Sequence, residues 1–527
     1  MAENRPILSE FNAYGVLHEI CRIICFTMGK AQNTLSQDFG LFNPSAPAEY
    51  SPRNPEKSLL FQIIRNHWKT FELMMDQYGS GLPRFVRDEF ESFLGCGVIQ
   101  YGFIRLKCDS CKHEKLIGFS CKKRGFCGSC IGRRMAETAA NLNDFVLPYI
   151  PYRQWVISFP IPLRFLLAKR PEVLDAILRV YISEVSRIIR RRARAEGKCF
   201  DIPLDRFQTG AYTAIQRFGQ SLALNIHYHS IFFDGAYLLP ETVDDKPVFF
   251  GIKSLSNEDL AEVLLKIVKK VKGYLTHEGF LTADGELISD SGSDDQSEDV
   301  LAQLQLASVQ NQVATGERSG KRVRLIKNDL LLSDVQIESP RCVQVLGFSL
   351  HANVEVESEK RDQLEKLIRY FTRPPVAEKR LHLLENGDLF YEFKSSWRDG
   401  TIGVKFTPLE FIEKLSAMVP LPRRHLFRYH GLLAPNSEFR SQILPIADSH
   451  DKDEEKAAAI LPKKPLRISW ADLLKRVFQI DLAQCPDCGG ELKFIAAIMK
   501  KSVIAKILEH LKLSTDPPRF KPAESPS

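Results

Sequence analysis

SLALNIHYHSIFF, residues 221–233, is the most regular stretch of the chain. Its β-branched and aromatic residues and its alternation predict a strand. Successive strand side chains point to opposite faces. Leu222, Leu224, Ile226 and Tyr228 therefore share one face, and Asn225, His227 and His229 the other. The apolar face needs a covering helix. The polar face presents two imidazoles side by side, a geometry suited to two ligands on one divalent cation. Two surface histidines would satisfy the same pattern.

Upstream, GAYTAIQ (210–216) predicts a partner strand, with a turn around Arg217–Gln220. Gln216 lies across that hairpin and is the geometric candidate for a third, oxygen ligand. Imidazole plus amide oxygen with open positions suits Mg²⁺ or Mn²⁺ bound to a phosphate. QWVISFP (154–160) predicts another strand. Residues 172–195 predict a long helix whose apolar stripe includes Val173, Ile177, Tyr181, Val185 and Ile188. Arg187, Arg190, Arg191 and Arg194 share another face of it, which is either solvated or a phosphate contact.

Downstream, residues 257–275 predict a helix and VQVLGFSLHANVEVE (343–357) one strand. His351 and Asn353 fall on its face away from Leu346, Phe348 and Leu350. Residues 358–373 predict a helix that ends near Arg373, because Pro374 and Pro375 follow. Its stripe is Leu364, Leu367, Ile368 and Phe371, with Tyr370 just off it between Arg369 and Arg373. A tyrosine hydroxyl can attack phosphorus, and Arg373 on the same helix face can supply charge to the phosphate. A tyrosine merely capping the core is the competing reading. The order β-α-β-β-α-β plus one helix predicts an α+β fold with a ferredoxin-like core.

The chain has 527 residues, enough for three or four domains. With 44% hydrophobic and 26% charged residues, wholesale disorder is excluded. No apolar run approaches the ~20 residues of a membrane span. The N-terminal residues do not read as a secretory signal, so the cytoplasm is the default expectation. Residues 105–134 hold nine Lys/Arg, two acids and five of the twelve cysteines. Clustered cysteines in such a chain argue for metal. Cys108-x2-Cys111, fifteen residues, then Cys127-x2-Cys130 predict two knuckles around one structural Zn²⁺. Cys121 and Cys96 are extra thiols that could replace a ligand or support a second ion. Lys122, Lys123, Arg124, Arg133 and Arg134 make this a basic module and candidate nucleic-acid contacts. Cys485-Pro-Asp-Cys488-Gly-Gly looks like half of a zinc ribbon, either borrowing ligands from elsewhere or a relic turn.

The remaining organisation is an extension at 1–50, partly flexible, and a helical and zinc-binding module at 51–135. The main domain occupies 136–440, with a polar surface insertion at 284–325. LFYEFK (389–394) and GVKFT (403–407) predict a hairpin, and Thr407 to Glu410 a capping box opening a helix. A linker follows at 441–466, C-terminal helices with the second knuckle at 467–514, and a disordered tail at 515–527.

Several segments together resemble the insertion-sequence-91 family of transposases, within the HUH (His-hydrophobic-His) nucleases. They are FSCKKRGFCGSCIGRRM (119–135), PYRQWVISFPIPLRFLLA (151–168), IQRFGQSLALNIHYHSIFFDGAY (215–237), LEKLIRYFTRPPVAEKRL (364–381), RYHGLLAPNSEFR (428–440) and CPDCGG (485–490). The resemblance implies that His227 and His229 hold the catalytic metal around Tyr228, and that Tyr370 is the nucleophile. It implies single-strand nicking and joining through a 5′-phosphotyrosine in rolling-circle transposition, aided by host replication. The implied partner is single-stranded DNA or hairpin ends of the element, with no membrane, in a bacterial cytoplasm at the nucleoid. Lys366 stands where two-tyrosine members carry a second tyrosine, so the chain resembles the single-tyrosine branch. A plasmid replication initiator or relaxase, a decayed zinc DNA-binding protein and a zinc-ribbon RNA-binding protein are the alternatives.

Overall fold

The computed structural model describes residues 54–242, 245–282, 288, 299–327, 341–397, 399–445 and 484–524. The expected N-terminal extension, most of the acidic stretch at 284–299 and the greater part of the expected linker lie outside them. In chain order the fold begins with helices α1 (Leu59–Gln77) and α2 (Arg84–Leu94), then strands β1 (Phe103–Cys108) and β2 (Glu114–Gly118) and helix α3 (Gly128–Asn141). Strand β3 (Tyr152–Ser158), helices α4 (Ile161–Lys169) and α5 (Pro171–Glu196), and strands β4 (Phe207–Gln208), β5 (Gly210–Phe218), β6 (Leu224–Phe233), β7 (Gly235–Leu238) and β8 (Val248–Gly251) follow. Next come α6 (Asn257–His277), α7 (Val300–Val309), β9 (Arg324–Lys327), β10 (Cys342–Val345), β11 (Phe348–Val356) and α8 (Arg361–Thr372). Strands β12 (Leu381–Leu383), β13 (Leu389–Glu392) and β14 (Thr401–Phe406), helix α9 (Pro408–Met418), strands β15 (Phe427–Gly431) and β16 (Leu492–Ile498), and helix α10 (Lys501–His510) complete it.

The chain is a mixed α/β protein built on antiparallel sheets. The central sheet runs β10-β11-β3-β6-β5-β15. Its neighbours all pair antiparallel. Alternation sorts the side chains as the pleat requires. Trp155, Ile157, Ile215, Ile226, Tyr228 and Leu350 face a core built with α5 and α6. Tyr152, Tyr212, Ala214, Ile231 and Phe233 face the opposite core, built with α3 and α8. The fully buried Arg153 ties the sheet together: it donates to both Asp234 oxygens (2.8 and 2.7 Å) and to Glu355 Oε1 (2.5 Å). Such a pair strongly penalises removal of one partner, because the other charge is left buried alone.

Four helices, α1, α6, α7 and α9, begin where a side chain accepts from a free N–H group. Ser58 Oγ accepts from Phe61 N (3.3 Å). Ser256 and Asp259 close a capping box on α6, and Thr407 and Glu410 close the expected one on α9.

Four expectations are corrected. The single strand over 343–357 is two strands, because Leu346 (φ 50°) and Gly347 (φ 78°) both take the left-handed conformation of a two-residue hairpin turn. The insertion at 284–325 is not all surface: Val300, Leu301 and Leu304 of α7 enter a core shared with α1 and α9. Their apolar spacing is helical, but polar flanks on both sides mask it. Within 467–514, residues 492–498 form strand β16 rather than helix, and β16 pairs with β1 near the other end of the chain. The tail expected to be disordered from 515 runs along α1, with Lys521 N on Arg65 O (3.0 Å) and Phe520 against the core.

Candidate functional site

His227 and His229 stand side by side on β6, ring centroids 4.9 Å apart and both buried. They lie on the α3/α8 face, opposite Ile226 and Tyr228. The backbone carbonyl of Asn225 lies 2.9 Å from His227 Nδ1 and can only accept, so Nδ1 carries the proton and Nε2 keeps its lone pair. Gln154 on β3 reaches His229 Nδ1 at 3.0 Å through its amide nitrogen, while its Oε1 is buried with no partner. Turning that amide over lets Oε1 accept from Nδ1–H and frees His229 Nε2 as well. This is how ligating imidazoles are held: the far nitrogen donates and the near one binds. Burial pushes His227 down to about 4, assisted by Arg164 and Arg373 and opposed by the Asn225 carbonyl. Burial also drives His229 well below its ordinary value, with His227, Arg373 and His351 adding to the effect. Both rings are therefore neutral donors near pH 7, which fits a divalent cation.

Gln216 pairs in register with His227, as its spacing predicts. Its Nε2 donates to Phe371 O (2.8 Å), which leaves the amide oxygen outside that bond. His351 lies in register two strands from His229, through Val156. It is 3% exposed and its Nε2 has no partner.

Helix α8 lays Tyr370 against this face. The Tyr370 and His229 rings are nearly perpendicular, 6.2 Å between centroids, and Phe371 stacks on His229. Arg373 lies 4.8 Å over the tyrosine ring and Lys394 5.4 Å from it. Arg369 is taken up by Glu365. Beside this constellation opens a cleft lined by Arg124, Arg134, Gln216, Arg217, Thr372 and Arg373, among others. Arg217 is 8% exposed, its Nε is on Met418 O (3.2 Å) and its Nη2 has no partner. Arg373 Nε likewise has none. Desolvated guanidinium donors without partners suit an anion.

The basic loop is held in place by buried Glu89, whose Oε1 accepts from Gly125 N (2.7 Å), and by Arg134, which donates to the carbonyls of Lys122 and Lys123. Arg124 and Arg134 thus reach the cleft. Arg187, Arg190, Arg191 and Arg194 do not: α5 covers the other face of the sheet, and Arg191 is paired with Glu262 (2.6 Å).

The expected quartet of Cys108, Cys111, Cys127 and Cys130 does not form. The structure divides it between two clusters, Cys96-Cys121-Cys127-Cys130 and Cys108-Cys111-Cys485-Cys488. In the first, Sγ–Sγ distances of 3.4 to 3.7 Å are close to the roughly 3.8 Å expected between thiolates on a tetrahedral zinc. Cys121 N also donates to Cys96 Sγ (3.4 Å). Cys127 occupies the position just before α3 and Cys130 lies in its first turn. From there α3 runs onto α8, and Arg361 at the start of α8 donates to Leu147 O (3.0 Å) and Pro148 O (3.2 Å) beyond α3. The cysteine cluster thereby anchors the helix that braces the tyrosine helix.

Sequence reasoning missed Gln154, Arg217 and Lys394. Gln154 was accessible through alternation in QWVISFP. Arg217 and Lys394 carried no local signal.

Comparison with known proteins gives two family matches. Residues 63–159 match a model described as "Transposase zinc-binding domain", of the insertion-sequence-91 kind, and residues 210–440 one described as "Putative transposase". No curated protein and no solved structure matches. No described helix is long and apolar enough to cross a membrane. The second match spans the histidine strand and the tyrosine helix, and the first spans Cys96 to Cys130. In this order, zinc-binding module ahead of transposase domain, the chain matches an insertion-sequence-91-like transposase with an N-terminal structural zinc module.

Proposed function

We propose that this transposase nicks and rejoins single-stranded DNA through Tyr370, with His227, His229 and the amide oxygen of Gln216 as ligands of a divalent cation. The observation that carries the reading is the placement of Tyr370 against the histidine face, between that face and the cations Arg373 and Lys394. Topology supports it too. Numbered along the chain, β3, β5, β6 and β11 lie in the order 4-1-3-2, with α5 and α6 on one face, as in a ferredoxin-like core of the HUH type.

Bound Mg²⁺ or Mn²⁺ would supply Lewis acidity at the scissile phosphate. The chain does the rest. Tyr370 Oη attacks phosphorus, the bond to the 3′ oxygen breaks, and the proton lost by the tyrosine is balanced by one gained at the leaving 3′-OH. The product is a 5′-phosphotyrosine. Because the ester conserves the bond, a second strand's 3′-OH can reverse the step and join the DNA. Arg373, Arg217 and Arg124 hold backbone phosphates in the cleft. Rolling-circle transposition, with host replication extending the freed 3′ end and the protein at the bacterial nucleoid, is the process this chemistry serves.

The test is incubation with labelled single-stranded DNA from the flanks of the gene and Mn²⁺, beside Tyr370→Phe, on a denaturing gel. A covalent band lost in the variant and with EDTA is expected. Binding without any band would overturn the assignment of Tyr370. Recovery of a second strand joined to the nicked DNA would show that the ester serves strand transfer as well as nicking.

A further inference from the structure

We infer that Cys108, Cys111, Cys485 and Cys488 bind a second zinc ion, one that clasps the C-terminal segment onto the N-terminal module. The matched zinc-binding domain ends at residue 159 and contains only half of this ligand set.

The two knuckles are built alike. Cys108 N donates to His113 O (2.8 Å), and Cys485 N to Gly490 O (2.7 Å), the same span of five residues. Lys112 N returns to Cys108 O (3.1 Å), and Gly489 N to Cys485 O (2.9 Å). The residue after each second cysteine takes the left-handed conformation, Lys112 at φ 66° and Gly489 at φ 71°. Such a turn aims two sulfurs at one point. The knuckles face each other, with Sγ–Sγ distances of 3.6 Å (Cys108–Cys488) and 3.5 Å (Cys111–Cys485). All four sulfurs lie within 4.8 Å of one another. A Cβ on Gly490 would sit 2.8 Å from Ser110 Oγ and 3.2 Å from both Cys108 Sγ and Cys488 Sγ, so glycine is what lets the knuckles close.

Polar contacts cross the same seam: His113 Nδ1 lies 2.6 Å from Asp487 Oδ2, and Lys493 forms an ion pair with Asp109 (2.7 Å). Strand β16 pairs with β1 from Phe103↔Ile498 to Cys108↔Leu492 and leads directly away from the knuckle. The apolar support is slight. Phe103, Ile504 and Leu508 make one small cluster, and Leu492 packs beside Cys108 and Cys485. A unit with so few buried side chains needs a staple, and four thiolates in tetrahedral reach provide one. Four protein ligands leave no open position, so this ion is structural.

Zinc content of the full-length protein, measured by plasma mass spectrometry, tests the inference. The wild type should carry about two zinc ions per chain, and Cys485→Ser/Cys488→Ser about one. A wild type with one ion, or a double variant that keeps two, would overturn it. Cobalt substitution gives a second reading independent of recovery: thiolate-to-cobalt charge transfer should fall by about half in the double variant. For the clasp, a specific protease site is introduced between residues 450 and 460. After cleavage the C-terminal fragment should co-elute with the rest on gel filtration, and should separate when the cleaved chain carries Cys485→Ser/Cys488→Ser. Co-elution of the variant fragments would show that strand pairing and the tail's contacts with α1 suffice, and would remove the clasp.

Discussion

His227 and His229 are held by a sheet packed on both faces, whereas the Cys108-Cys111-Cys485-Cys488 cluster sits where little else is packed. The histidine strand lies between two large cores, one with α5 and α6 and one with α3 and α8. Its imidazoles keep their orientation through Asn225 O and Gln154, whatever ion is present. The module of β1, β2, β16 and α10 buries only a few apolar residues around its cysteines. A preorganised site tolerates loss of its metal, while a small module depends on it. In the proposed reading, one protein uses metal in two ways, as a reagent placed on a rigid face and as a substitute for a core. The Cys96 cluster connects the two, because α3 starts there and ends against the tyrosine helix.

The largest expected effect tests the rigid face. Tyr370→Phe should lower covalent adduct formation by at least about a thousandfold while leaving zinc content and melting temperature unchanged. An adduct that survives the substitution would take the nucleophile off α8. Gln154→Ala removes the group that orients His229 and should lower Mn²⁺-dependent nicking about 10- to 100-fold, with an unaltered zinc content. Unchanged Mn²⁺ dependence would mean that His229 does not need its neighbour.

Acid separates the regions next. His227 is held down to about 4 by burial, so between the ordinary histidine value near 6.5 and about 4 the unfolded chain binds the extra proton. Stability in EDTA should therefore fall as pH drops through that window, by at most about 3 kcal/mol from this residue. Urea titrations at pH 6.5 and 4.5 measure it, and His227→Asn should flatten the slope. A wild type and variant with equal slopes would contradict the buried neutral ring. The smallest effect concerns DNA. Arg124→Gln should reduce the salt dependence of binding by about one unit of slope, and Arg187→Gln, on the far face, should not. The reverse result would move the strand path to α5.

Much of the histidine site was legible because it is local. A period of two assigns His227, His229 and Gln216 to one face, and helical spacing places Tyr370 just off the stripe of α8. The ends of α5 and α6 follow from the same periodicity. What escaped were features set by contact. Arg217 matters because it is buried beside a cleft, and nothing adjacent to it in the chain says so. Leu346-Gly347 was hidden inside an apolar run that reads equally well as one strand. Helix α7 was hidden by its polar flanks.

The cysteines mark the boundary most sharply. Spacing alone identifies Cys108-x2-Cys111, Cys127-x2-Cys130 and Cys485-x2-Cys488 as knuckles, because two sulfurs three residues apart converge through one turn. Which knuckle meets which is decided elsewhere, by the pairing of β16 with β1 and by the place of Cys96 and Cys121 beside the start of α3. Closeness along the chain favours Cys108 with Cys127, yet pairing between strands far apart in sequence brings Cys485 instead. Turn geometry is a property of a few neighbouring residues and is written in them. Strand partnership is a property of the whole packed chain, and only the tertiary structure decides it.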